Sequence, residues 1–269
     1  MMHFALQFPA MLPVLAVTLM LAYRLMFCRI DAEEKRRSET MLVATLLAIP
    51  AEGLCVALTC FVSRLVPHKL DPFIFQIDRS LFGAPAFVIG RAMYSHHWLT
   101  LLLGMSYGVL NIALLILFGA YLWLRPWRES IQLLRTTTLL YFCAVPIYML
   151  IPVCGPRYAF AGFPFAMPQH LVPHSILIQA PPNGIPSVHM ATALLIVWFS
   201  RHWKIGSVLA ILFLILTMLA TLGSGEHYLV DLIVAIPYTA FVIWSDQDAA
   251  ESETAASSTP NDYAYATKP

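Results

Sequence analysis

Long apolar runs, broken at intervals by short polar stretches, dominate the chain. A bilayer core of about 30 Å takes roughly 20 apolar residues of helix, and runs near that length recur. Seven spans are expected: Phe4 to Phe27, Met41 to Leu65, Trp98 to Leu124, Ile131 to Val153, Pro186 to Ser200, Ile205 to Leu222, and His227 to Trp244. The fifth is short, and Arg201 and Lys204 would lengthen it by snorkelling to the interface. The first has no basic segment before it and is too long for the apolar part of a cleaved signal, so it reads as a retained span. The fold class is all-α: a polytopic transmembrane helix bundle of six to seven spans.

The polar breaks divide the chain into four parts. Residues 1–65 hold two N-terminal transmembrane helices, and residues 98–244 hold the transmembrane core that carries the chemistry. Between them, residues 66–97 form a connector. Its stretch from Leu70 to Arg79 has the spacing of an amphipathic helix lying on the outer leaflet. After Trp244 the large aliphatic residues almost vanish, so residues 245–269 are expected to be a disordered tail. Glu52, inside the second span, is a candidate by position, because a carboxylate within a membrane is costly.

Basic residues orient this frame. Arg24, Arg29, Lys35, Arg36, Arg37, Arg125, Arg128, Arg135, Arg201, Lys204 and Lys268 fall on one side, and only Arg64, Lys69, Arg79, Arg91 and Arg157 on the other. The richer side is expected to be cytoplasmic. That places the N-terminus outside and the C-terminus inside. Two short stretches, Gly184 to His189 and Gly225 to Asp231, then fall on the outer side, together with the turn Gly155-Pro156-Arg157-Tyr158.

Composition supports lipid as the solvent. The 269 residues are 59% hydrophobic and 12% charged, against about 45–50% and about 25% in soluble domains. A net charge of +1 gives no reason to expect a nucleic-acid partner. The five cysteines lie in or at the ends of apolar stretches without metal-ligand spacing, and read as small apolar residues. His170 and His174 are four apart in the long Pro- and aromatic-rich segment from Cys154 to Ile185, but no third ligand has a matching spacing. That segment reads as a lid packed at the interface. No metal and no cofactor are expected.

The chemistry is expected in the two outer stretches. His227 and Asp231 are four apart, a spacing that puts them one helical turn from each other on one face. The carboxylate would fix one ring nitrogen and leave the other free. A second histidine, His189, would supply or accept a proton.

Pro186-Ser187-x-His189, followed by His227-Tyr228-x-x-Asp231, resembles the type 2 phosphatidic acid phosphatase superfamily. The likeness is nearest to the branch containing inositol phosphorylceramide synthases, an inositolphosphotransferase-like group. The Gly155-Pro156-Arg157-Tyr158 turn and Asp71-x6-Asp78 add to it, and it covers roughly Leu70 to Trp244.

The resemblance implies His227 as the nucleophile that forms a phosphohistidine, Asp231 as its orienting carboxylate and His189 as the acid. Ser187, Arg157 and Tyr158 become candidate phosphate ligands, with backbone N–H groups at the helix starts. The superfamily's Lys-x6-Arg-Pro motif is missing, Val188 stands in place of a glycine, and Ala220 and Thr221 stand where Ser-Arg is usual. Arg157 is then the one outer basic residue next to a motif. So thin a cationic cradle suits a phosphodiester better than a monoester. Head-group transfer on a membrane lipid is the expected reaction. Lipid phosphate hydrolysis and a non-catalytic lipid transporter or scaffold are the alternatives.

Overall fold

The computed structural model describes residues 18–19, 21–169 and 174–258. Most of the first expected span therefore lies outside the described residues, as do His170 and the end of the tail.

α1 (Ala32–Leu65) starts at Asp31, whose side chain accepts from Glu34 N at 2.7 Å, and runs through the second expected span. The side chain of Glu52 is outside the described part. β1 (His68–Lys69) then pairs antiparallel with β2 (Ile176–Leu177), His68 opposite Leu177 and Lys69 opposite Ile176. This clip ties the long aromatic segment to the chain just before the connector.

The connector is helical, as its periodicity predicts, but it is two helices. α2 (Asp71–Phe82) and α3 (Pro85–Ser95) meet at 88°. Gly83 caps α2 in the left-handed region, and Pro85 opens α3. The buried face of α2 holds Ile74 and Phe75, and also both carboxylates, Asp71 and Asp78. The helix therefore turns its charges inward. It packs on the last helix, which starts at Leu229, and on the short helix Pro156–Ala159.

The third expected span is present as α4 (His97–Gly108) and α5 (Leu110–Leu124), bent by 46° at their junction. α6 (Trp127–Leu150) follows, and then α7 (Pro156–Ala159). α8 (Val188–Ser200) is short, as the sequence suggests; α9 (Lys204–Ser224) and α10 (Leu229–Ser258) are long. Three helices are long and apolar enough to cross a membrane, or five if each bent pair counts as one span, among the described residues.

α8 sits at the centre, packed on α5, α6, α9 and α10. Its Ala191, Ala193 and Leu195 are fully buried, and the small alanines let neighbouring backbones come close. The outer faces are apolar instead. Ile205, Val208, Leu209 and Leu212 on α9 are exposed, as a lipid-facing surface requires.

The last helix continues beyond its apolar run, which corrects the expectation of disorder from residue 245. α10 extends to Ser258. Asp246 is buried; Thr136 Oγ1 donates to its Oδ2 at 2.7 Å, and Arg135 binds its Oδ1 and, at 2.9 Å, its carbonyl. Those partners on α6 hold the helix where hydrophobicity no longer does, and the alanines and glutamates beyond favour helix. Residues 259–269 lie outside the described residues.

The segment from Cys154 to Ile185 is packed where it is described. Phe160 and Phe163 stack against Phe75 and Phe87 with ring centroids 5.0–6.1 Å apart. Its aromatics pack in one apolar cluster with Ile74, Phe75, Phe87, Tyr228 and Val230, at the junction of α2, α3 and the start of α10.

Candidate active site

α9 ends at Ser224, and Gly225 turns the chain with φ of 76°. A Cβ at Gly225 would lie 2.5 Å from the Phe163 ring, so the turn needs glycine for both conformation and space. His227 follows, 1% exposed. The helix starts only at Leu229, so His227 precedes it, and the one-face helical geometry expected from the i, i+4 spacing is replaced. Asp231, in the first turn, reaches back instead. Its Oδ2 accepts from Tyr228 N at 2.8 Å and lies 3.4 Å from His227 Nδ1. The carbonyl of Gly184 is nearer to the same nitrogen, at 3.1 Å.

Two acceptors therefore converge on Nδ1, which places the ring proton there and leaves the Nε2 lone pair free. Nε2 is buried and has no hydrogen-bond partner among the described residues. Buried polar atoms are nearly always satisfied, so this bare nitrogen stands out, as does Asp231 Oδ1 beside it.

His189 is the second residue of α8, two positions after the cap residue Ser187. Its ring stacks on Tyr107 at 4.4 Å and 26°, with the Tyr107 hydroxyl 3.4 Å from Nδ1. The His189 and His227 rings lie 5.7 Å apart at 63°. The structure thus brings the two histidines together from segments 38 residues apart in the chain. Tyr107 has no signal in the sequence that would have singled it out.

Two carboxylates from α2 brace this arrangement. Asp71 accepts from Cys154 N at 3.0 Å, Gly155 N at 2.8 Å and the Tyr228 hydroxyl at 3.1 Å. Tyr228 is fully buried, so it is an internal strut rather than the interfacial anchor that tyrosine usually is at a membrane surface. Burial, and then Asp71, push its phenol well above the ordinary value and keep it a donor. Asp78 Oδ1 accepts from Val230 N at 3.2 Å, at the start of α10. The seven-residue spacing of Asp71 and Asp78 puts both on one face of α2, a legible signal; their partners are not.

These bonds change the picture of a phosphate cradle at the helix starts. Tyr228 N is held by Asp231, Val230 N by Asp78, and Met190 N by Ser187 Oγ at 3.3 Å. The N–H groups best placed for an anion are largely committed to protein oxygens. Ser187 is fully buried, with its N–H facing the Asp231 carbonyl at 3.4 Å.

Arg157 and Tyr158 stand beside His227 through backbone contact: Arg157 N donates to Gly225 O at 2.9 Å. Their side chains meet Glu226. The Tyr158 hydroxyl lies 3.1 and 3.0 Å from the two Glu226 oxygens, and Arg157 Nη1 lies 3.4 Å from Oε1. Glu226 is therefore held by its neighbours rather than left facing water. Gly155 makes the close approach possible, with φ of 95° and an ideal Cβ only 2.2 Å from Glu226 O. Gly155→Ala should displace this turn and lower activity by on the order of tenfold or more, because a shift of about 1 Å at a site can cost 10²-fold. Wild-type turnover in that variant would show the turn to be irrelevant.

Among the described residues no group of three or more His, Cys, Asp or Glu side chains could hold a metal ion. Burial, and then Asp71, push the Cys154 thiol up, so it sits as a neutral donor to that carboxylate. Neither the curated proteins nor the solved structures contain a match to the chain. Comparison with protein families matches residues 72–245 to the PAP2 superfamily. That region holds both histidine stretches, the Gly155 turn, Tyr107 and nearly all of α2, and spans well over half of the sequence. The chain belongs to the PAP2 superfamily, as an integral membrane protein of the lipid phosphatase and phosphotransferase type.

Proposed function

We propose that this protein transfers a phosphoryl-linked head group from a membrane phospholipid to a lipid hydroxyl, through a phosphohistidine on His227. The observation that carries the reading is the bare, buried Nε2 of His227 beside the ring of His189. In the first step Nε2 attacks phosphorus. An N–P bond forms, the P–O bond to the diacylglycerol breaks, and the departing oxygen takes a proton from the His189 imidazolium. In the second step neutral His189 takes the proton of the acceptor hydroxyl. The acceptor oxygen attacks phosphorus, the N–P bond breaks, and His227 returns to its starting state. The substrate's negative charge serves as counter-charge to protonated His189. Asp231 and Gly184 O hold the nucleophile's tautomer, and Arg157, Ser187 and Tyr158 are the groups proposed to meet the phosphoryl oxygens. Phosphoryl transfer depends chiefly on such positioning and charge stabilisation.

In the same reading the histidine end faces away from the cytoplasm. Arg125 N donates to Tyr121 O at 3.0 Å, and the Tyr121 hydroxyl donates to Phe199 O, two residues before Arg201 and at the far end of α8 from His189. The basic-rich loops and the histidines thus occupy opposite ends of one helix, which supports the orientation read from the charges. An inositolphosphotransferase-like reaction is the form suggested by the sequence resemblance.

The test uses purified protein in mixed micelles with phosphodiester phospholipids, phosphatidic acid, polyprenyl phosphates, and diacylglycerol or ceramide as acceptor. Mass spectrometry of the lipid products should show head groups on the added acceptor. Free phosphate as the sole product would replace transfer by hydrolysis, with water as acceptor. Lipid movement without covalent change, unaffected by loss of His227, would mean a transporter on this fold.

A further inference from the structure

Glu226 is the residue immediately before the proposed nucleophile, and it occupies the site's nearest cation. Its side chain is 17% exposed, and both its oxygens are engaged by Tyr158 and Arg157. Burial, and then Glu226 itself, push the Tyr158 phenol up, so Tyr158 stays a neutral donor and leaves the negative charge on the carboxylate. Arg157 N donates to Gly225 O at 2.9 Å, and an ideal Cβ at Gly155 would lie 2.2 Å from Glu226 O. The cluster is therefore fixed by backbone contact to the chain immediately before His227.

Of the other basic side chains on this face, three are occupied elsewhere, and Arg64 is exposed in the last turn of α1. Lys69 is fully buried, donates to Val66 O and lies near Asp71. Arg79 donates to Pro168 O at 2.9 Å and Arg91 to Phe87 O at 3.3 Å. Four carboxyl groups, Asp71, Asp78, Asp231 and Glu226, thus stand in or directly behind the site, against Arg157 and Lys69. Such a site is poorly suited to a ligand bearing two negative charges.

We propose that Glu226 is a charge filter that sets the substrate class: with it in place the site takes singly charged phosphodiesters and turns away doubly charged phosphomonoesters. The inference rests on the phosphoryl-transfer reading of His227 and deepens it. A phosphomonoester carries about −1.5 to −2 charges near pH 7, whereas a diester carries one. The extra charge meets the Glu226 carboxylate, which is largely shielded from water, so that charges there interact more strongly than in bulk water. Arg157 shares its charge between Glu226 and the ligand, which suits one negative charge on the ligand and leaves little for a second.

The experiment compares full-length wild-type protein with Glu226→Gln, Glu226→Asp and Arg157→Gln in mixed micelles. Substrates are phosphatidic acid and three diesters with matched acyl chains: phosphatidylinositol, phosphatidylglycerol and phosphatidylcholine. The quantity read is kcat/KM for phosphatidic acid divided by that for the best diester. Wild type should favour a diester. Glu226→Gln, which keeps an acceptor for Tyr158, should raise the ratio by about tenfold, the effect of one nearby charge at a partly exposed site. Glu226→Asp should hold the wild-type ratio, and Arg157→Gln should move it the other way. A purely structural Glu226 would lower both rates together and leave the ratio unchanged, which overturns the proposal. So does a wild type that prefers phosphatidic acid while still requiring His227. Should Glu226→Gln fail to fold, an Arg157→Gln ratio equal to wild type overturns it equally. No turnover of any of the four lipids, or turnover that survives His227→Ala, overturns the phosphoryl-transfer reading instead.

Discussion

His227→Ala should lower turnover by on the order of 10⁴-fold or more, the scale seen when the attacking group of a covalent mechanism is removed. The argument is atomic. Nε2 has no partner among the described residues, so the fold does not depend on it, whereas the proposed N–P bond does. What the fold loses is the Nδ1 proton shared with Gly184 O and Asp231. That costs about 1–3 kcal/mol, equivalent to several degrees of melting temperature for a chain of this size. Activity and stability should therefore separate: almost no product from a protein that still folds in detergent. An acid-labile phosphoryl adduct should appear on wild-type protein and be missing from the variant. If the variant retains a tenth of wild-type turnover, the nucleophile lies elsewhere.

The largest effect on stability is expected at Asp71. Alanine there strands two backbone N–H groups, on Cys154 and Gly155, and the Tyr228 hydroxyl, all within a buried cluster. Leaving buried donors unsatisfied costs about 1–3 kcal/mol each, and losing one partner of a buried charged network costs about 3–5 kcal/mol. A thermal melt in detergent should show a fall of well over 5 °C for Asp71→Ala. Asp71→Asn keeps one acceptor oxygen and should melt between the two. Because Asp71 joins the Gly155 turn to Tyr228, the residue next to His227, activity should decline even at temperatures where the variant is folded. A melting curve superimposable on wild type would mean these hydrogen bonds contribute nothing.

Hydropathy located the long helices well because a lipid-facing helix cannot hide its apolar length. Ile205 to Leu222 and Ile131 to Val153 are nearly coextensive with α9 and with the membrane part of α6. It failed where geometry changes without a change in polarity. The break at Val109 interrupts an apolar run, and the right angle between α2 and α3 depends on Gly83 and Pro85. The tail was misread for the opposite reason: a polar segment is held by ionic partners on α6 that hydropathy does not weigh.

At the candidate site, the meeting of His227 with Asp231 and with His189 was legible, the first pair from its spacing and His189 from the matching stretch before it. Asp71 and Asp78 were visible as a pair on one helix face, but their partners are backbone N–H groups 83 to 152 residues away, for which no local pattern exists. Gly184 matters through its carbonyl, an atom every residue possesses, and Tyr107 through a ring contact across the bundle.

α10 is fastened at both ends. Asp78 and Asp231 hold its first turn, and Arg135 and Thr136 hold Asp246 fifteen residues later. At 1.5 Å per residue these fastenings lie about 22 Å apart. A helix fixed at only one end can slide along its axis when the bilayer thins or thickens; this one would have to break both sets of bonds to do so. The level of His227 along the bundle is consequently set by the protein's own bonds rather than by the lipid around it. Changes in bilayer thickness then fall on the exposed faces of α9 and its neighbours, and in the proposed reaction a phospholipid would bring its phosphate to a level that the bundle has already set.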